Sequence, residues 1–146
     1  MQTRVKTQSE IKAMRESGRM LATVLGVLKK ELKPGMSTKD LADIADRELK
    51  VLGGEASFKG YQDFPEVICI SVNEEVVHGI PKASKIINEG DIVGLDFGVT
   101  YRGMITDSAI SVIAGQPKQQ AHVELIERTK KALDVWSAWR SGGKNG

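Results

Sequence analysis

The sequence predicts an α+β domain in which an antiparallel sheet is covered by helices, and three observations carry that prediction. Helical periodicity fills roughly the first fifty residues and returns after Pro117. Between about Pro65 and Ile113 the pattern changes to runs of β-branched residues and period-two alternation. Two of those runs adjoin with only a tight turn between them, which is antiparallel rather than βαβ grammar. At 146 residues the chain is about one domain long and can bury roughly two thirds of its unfolded surface.

The first helix is written in "TQSEIKAMRESGRMLATVLGVLKKELKPG". Ile11, Met14, Gly18, Leu21, Leu25, Leu28 and Leu32 recur at steps of three and four, which is one face of a long helix. Thr7 and Glu10 have capping-box spacing, and Pro34-Gly35 stops the helix. In "MSTKDLADIADRELKVLGG" Ser37 is the expected N-cap, Leu41, Ile44, Ala45, Leu49 and Leu52 form the stripe, and Gly53-Gly54 terminates it. Both helices are expected to cover the sheet. The strands follow in "EVICISV", "IVGLDFGVTY" and "MITDSAISVI". After Gly115-Gln116-Pro117 a third helix is expected, with Leu125, Ile126, Thr129, Leu133 and Trp136 on one side. "SAWRSGGKNG" lacks a periodic apolar face and reads as a frayed tail.

Composition excludes several classes. Apolar residues make up 40% and charged residues 27%, with no run long enough to span a bilayer and no signal segment at "MQTRVKTQSE". A soluble cytoplasmic protein without membrane attachment is the expectation. The single cysteine, Cys69, rules out an internal disulfide framework and a cysteine-rich zinc site. The net charge of +2 is spread among interspersed charges, so no specific nucleic-acid partner is expected.

The hairpin carries the chemistry. Residues on one strand face differ by two. A turn centred on Tyr101-Arg102 sets Asp96 opposite Asp107, and one centred on Arg102-Gly103 makes them diagonal neighbours on the same face. Val93, Leu95, Phe97 and Val99 then point to the other face, with Thr106, Ser108, Ile110 and Val112 completing it as the core side. On the aspartate side the neighbours are small: Gly94, Gly98, Ala109 and Ser111. Facing carboxylates repel by some tenths to about 1 kcal/mol. A hard divalent cation, which prefers carboxylate oxygens, would remove that cost. A solvated aspartate pair on an open sheet face is the competing reading.

"CISVNEEVVHGIP" followed by "GDIVGLDFGVTYRGMITDSAISV", with "KPGMST" and "GYQDFPEV" before them, resembles the first half of a type I methionine aminopeptidase, of peptidase family M24. The similarity runs from about Gln8 to Asp134. It implies a truncated pita-bread fold over residues 1–134 and a divergent, flexible tail over 135–146. It also implies a centre of two divalent metal ions (cobalt, manganese, iron or zinc) that activates a water to cleave the N-terminal methionine from nascent proteins, near the ribosome. By position, Asp96 and Asp107 match two metal ligands. His78 matches a substrate-side histidine that hydrogen-bonds the scissile amide, and Tyr61, Phe64 and Cys69 match residues lining the methionine pocket.

The resemblance assigns the remaining ligands, one histidine and two glutamates, to the second half of the fold, so incomplete metal binding is expected of this chain. His122, Glu124 and Glu127 are not expected to replace them, since their helix reads as a solvated or covering face. A half-fold leaves a sheet edge and a helix face bare, and self-association through that edge is expected. Two alternatives accompany the peptidase reading: an inactive half-domain that binds metal or N-termini weakly, and a proline-specific peptidase of the same superfamily.

Overall fold

The computed structural model describes residues 5–142. Helix α1 spans Gln8–Glu31 and α2 spans Thr38–Leu52. Both begin where side chains satisfy the free amides of a helix start. The Thr7 hydroxyl accepts from the Glu10 amide at 3.3 Å while the Glu10 carboxylate accepts from the Thr7 amide at 2.8 Å. Ser37 and Asp40 repeat the arrangement at 3.1 and 2.8 Å. Helix α1 ends at Leu32, just before Pro34-Gly35, and α2 ends on Gly53 in the left-handed conformation.

Strands β1 (Glu55–Ala56), β2 (Cys69–Val72), β3 (Ile92–Tyr101) and β4 (Met104–Ile113) form one antiparallel sheet. β3 is its centre. It pairs with β4 along its whole length, from Ile92↔Ile113 to Tyr101↔Met104. Its opposite edge is shared by β2, with Cys69↔Asp96 to Val72↔Val93, and β1, with Glu55↔Thr100. Strand β1 is absent from the sequence reading because two residues are too few to show a period.

The hairpin turn is Arg102-Gly103, with φ of 49° and 74°. Positive φ at both central positions is what a twist-matched two-residue hairpin requires. Of the two registers open in the sequence, this selects the diagonal one: Asp107 faces Gly98 and Asp96 faces Ala109.

Val93, Leu95, Phe97 and Val99 are fully buried under α1, in one core cluster with Leu21, Val24, Leu25 and Leu28 of that helix. α2 adds Leu41, Ala45 and Leu49. The other half of the expected core face is thinner. Ile110 and Val112 only pack at its margin, and Ser108 is exposed. Along the first half of α1 the buried line is Ala13 and Ser17, while Ile11, Met14 and Gly18 are half-buried.

Helix α3 spans Gln120–Gly142. Two expectations change there. The anticipated packing stripe is not buried: Leu125, Leu133 and Trp136 are 60%, 59% and 55% exposed, and only the start of the helix, at His122, Val123 and Ile126, is partly covered. The helix also continues through residues 135–142, where a frayed tail was expected, with Arg140 stacked over the Trp136 ring one turn away. Residues 143–146 of that expected tail lie outside the described residues. Among the described residues, no strand pairs with the outer edge of β4. No described helix is long and apolar enough to cross a membrane.

Candidate metal centre

Asp96 and Asp107 lie on the sheet face opposite the α1 core, brought together by the register just described. Asp96 is half-buried and Asp107 is exposed. Burial first, then the charge of Asp107 and a hydrogen bond between the two carboxyl groups, holds the Asp96 pKa above its usual value, with the nearby His78 charge acting in the opposite sense.

Cys69 joins them because β2 sets it directly opposite Asp96 on the same face. Its thiol is 5% exposed. Burial, reinforced by the charges of Asp96 and Asp107, pushes its pKa up to about 11. It is a neutral, soft group at neutral pH.

His78 arrives by a backbone route. The chain leaves β2, turns at Asn73 in the left-handed region, and comes back along the same strand. The Ile70 amide donates to the Gly79 carbonyl at 2.8 Å and the Gly79 amide donates to Ser71 Oγ at 3.1 Å. Position 79 must be glycine, since a Cβ there would sit 2.2 Å from the Ile70 carbonyl oxygen. His78 itself has φ of 57° and is exposed. Its conformation costs of order 1 kcal/mol, a cost set against the bracing of the loop. Glu75 accepts from the Val72 amide at 2.9 Å and from Lys85 Nζ at 2.6 Å. Asn73 Oδ1 accepts from the Ile92 amide at 3.0 Å.

The loop is anchored one layer deeper by Asp91, which is 2% exposed. Its carboxylate accepts from Asn73 Nδ2 at 3.0 Å, Lys118 Nζ at 2.7 Å and the Asn88 amide at 2.8 Å. Burial alone would raise its pKa, but these three donors outweigh that and hold it down at about 2. Asn73 and Glu75 lie in the polar run "SVNEEVVHG" and Asp91 in "EGDIVG", and none of the three has a periodicity that marks it.

Phe58 is a further residue missed. Its ring occupies the space left by Gly98, where a Cβ would lie 2.7 Å from the ring edge. Gly98 is the β3 neighbour of Asp96 on the site face, so this glycine admits an aromatic side chain beside the carboxylates. Gly94 admits nothing comparable, a Cβ there meeting Ser71 only at ordinary contact distance. Tyr61 and Phe64 bracket a 3₁₀ turn, Tyr61–Asp63, closed by the Phe64 amide on the Tyr61 carbonyl at 3.0 Å. Tyr61 is 67% exposed and Phe64 half-buried. Asp96, Asp107 and Cys69 thus share one sheet face, with His78 on the loop braced against β2, while Tyr61 stands on an open turn.

Two adjacent carboxylates with small neighbours fit two ligands of a hard divalent cation. Among the described residues, no group of three or more His, Cys, Asp or Glu is arranged to hold a metal ion. His122, Glu124 and Glu127 lie on α3 and do not extend the pair into such a group.

Residues 12–144 match the model for metallopeptidase family M24. That span passes the residue 134 at which the sequence reading ended the domain. A methionine aminopeptidase of Aquifex aeolicus is 44% identical over 133 residues, covering 87% of this chain and 51% of the relative. The structure of a methionine aminopeptidase from Thermotoga maritima superposes with a TM-score of 0.88 at 36% identity, over 92% of this chain and 53% of that one. A prolidase from Pyrococcus furiosus reaches 0.67 at 21% identity, over 80% of this chain and 33% of that one, a likeness of fold alone. The chain spans about half the length of the curated relatives it matches.

Proposed function

Since the chain belongs to metallopeptidase family M24 and has the α+β pita-bread architecture of its structural relatives, we propose that it carries the aspartate half of a methionine aminopeptidase site. The reaction is hydrolytic removal of the N-terminal methionine from nascent proteins in the cytoplasm. One observation carries the reading: two carboxylates from adjacent strands converge on a sheet face beside Cys69 and His78.

Asp96 and Asp107 would hold the divalent metal. When bound, such an ion supplies Lewis acidity and a water acidic enough to attack a peptide carbonyl near neutral pH. His78, on its braced loop, donates a hydrogen bond to the scissile amide and stabilises charge that develops there. Cys69, Phe64 and Tyr61, with Phe58, offer the soft apolar surface that an unbranched thioether side chain prefers. The hairpin core and the Asp91 cluster keep these groups in place before substrate arrives, so little ordering remains to be done on binding.

A second reading is favoured by the ligand count. Two carboxylates fall short of the donors a hydrolytic centre needs, so the chain by itself would bind a metal or an N-terminus without turning it over. Self-association through the open edge of β4 would accompany that reading. A proline-specific peptidase is not favoured, because the relatives with substantial sequence identity are methionine aminopeptidases.

The experiment is methionine release from a Met-Ala peptide with manganese, cobalt or iron(II). Release that disappears in Asp107→Ala supports the enzyme. Metal binding without release supports the half-site. Neither binding nor release with any of the three metals overturns both.

A further inference from the structure

Ser17 is fully buried in the middle of α1, on the side of the sheet away from the carboxylates. Its hydroxyl donates to the Val99 carbonyl at 2.8 Å. That uses its only proton, so the 2.7 Å contact with Thr106 Oγ1 is a bond donated by Thr106. Val99 and Thr106 are opposite each other in the hairpin. One hydroxyl on the helix therefore grips both strands of a single rung, and the next rung is Gly98↔Asp107.

That location matters because the carboxyl partner of Asp107, Asp96, can hydrogen-bond it only while one of the two carries a proton. The strand of Asp107 is the edge of the described sheet. The residue opposite is a glycine, so Asp107 lacks the cross-strand side-chain partner that fixes most strand residues. Its neighbour Asp96 repels it whenever both are charged. The grip on Thr106, one residue away and pointing to the opposite face, resists exactly the outward motion that repulsion would drive.

We propose that Ser17 is a positioning residue for the divalent-metal site: through Thr106 it fixes β4 so that the Asp107 carboxylate stays within reach of an ion held by Asp96. This rests on the reading of Asp96 and Asp107 as metal ligands. The stripe of Ser17, Leu21, Val24 and Leu28 is thus more than core, since its one polar member is satisfied only by the hairpin.

The test is manganese(II) binding, read from loss of the free-ion electron paramagnetic resonance signal, on the wild type, Ser17→Ala, Thr106→Val, Thr106→Ser and the Ser17→Ala/Thr106→Val double variant. Residues supporting a ligand typically cost 10 to 100-fold in affinity, so about tenfold weakening is expected for Ser17→Ala and Thr106→Val. Thr106→Ser keeps the hydroxyl and should retain wild-type affinity. The double variant should lose no more than either single one. A destabilising control in α2, Ala45→Gly, should leave affinity unchanged.

Wild-type affinity in both Ser17→Ala and Thr106→Val overturns the proposal, as does equal loss in Thr106→Ser or in the α2 control. If the wild type binds no manganese, the ligand reading has failed, and the positioning role is decided without metal by the carbon-13 signals of the two aspartate carboxyls. A change at Asp107 in Thr106→Val but not in Thr106→Ser sustains it. Unchanged signals in every variant overturn it.

Discussion

Replacing Asp107 with asparagine should stabilise the metal-free protein. The two carboxylates meet across adjacent strands, with Asp96 half-buried and Asp107 exposed. Like charges so placed cost some tenths to about 1 kcal/mol, and solvent around Asp107 keeps the figure toward the lower half of that range. For a domain of this length, each kcal/mol moves the melting point by about 2–4 °C. Asp107→Asn should therefore melt about 0.5–2 °C higher at pH 7 in chelator and low salt. The sign with pH follows from the raised Asp96 pKa. Its contribution to folding is favourable below the ordinary carboxylate range and is lost as pH rises through the raised value. The advantage of the variant should accordingly shrink on going from pH 7 toward pH 4, where a protonated Asp96 can hydrogen-bond to Asp107. Manganese should reverse the order. At ten times its dissociation constant a ligand adds about 1.4 kcal/mol to the protein that binds it, a gain the variant forgoes. Thermal unfolding followed by circular dichroism measures all three conditions. A variant that melts below wild type at pH 7 in chelator, or a difference independent of pH, would refute the reasoning.

Three further outcomes follow from the surrounding structure. Asp91, held at about 2 by its donors, stabilises the fold above the ordinary carboxylate pKa, by about 2 kcal/mol at pH 7. Urea unfolding should show this being lost as pH falls from about 5 toward 2, with the loss absent in Asp91→Asn; parallel pH profiles for the two proteins would count against it. Cys69, raised to about 11, should hold about one thiolate in a thousand at pH 8 against roughly a quarter for a free thiol. Reaction with a thiol reagent should then be at least about a hundredfold slower than for free cysteine, and a comparable rate would contradict the burial and charge described. Gly79→Ala should lower stability by about 2–4 kcal/mol, since backbone would have to move to admit the methyl group. An unchanged melting point would show that the His78 loop is not held against β2.

What the sequence discloses is what local chemistry decides. Thr7 with Glu10, Ser37 and Gly53 mark helix ends because caps are satisfied within a turn. Asp96 and Asp107 share a face in either hairpin register because parity alone requires it. Choosing the register needed the Arg102-Gly103 backbone, whose positive φ values are a property of the folded turn. Ser17 was passed over for Gly18 because an apolar stripe does not register a buried hydroxyl whose partners lie 82 and 89 residues away. The loop that delivers His78 rests on backbone bonds between Ile70 and Gly79 and on an acidic residue in a different turn, none of which has a period. On α3 the pattern gave the helix but overstated its packing, since an apolar spacing says which residues share a side and not that anything covers them.

The most direct test of the central assignment is calorimetric titration of manganese into the purified chain beside Asp96→Ala. Asp96 and Asp107 as metal ligands predict heat of binding in the wild type that vanishes in the variant. Wild-type titration without heat at millimolar manganese, or binding that the variant retains, would contradict it.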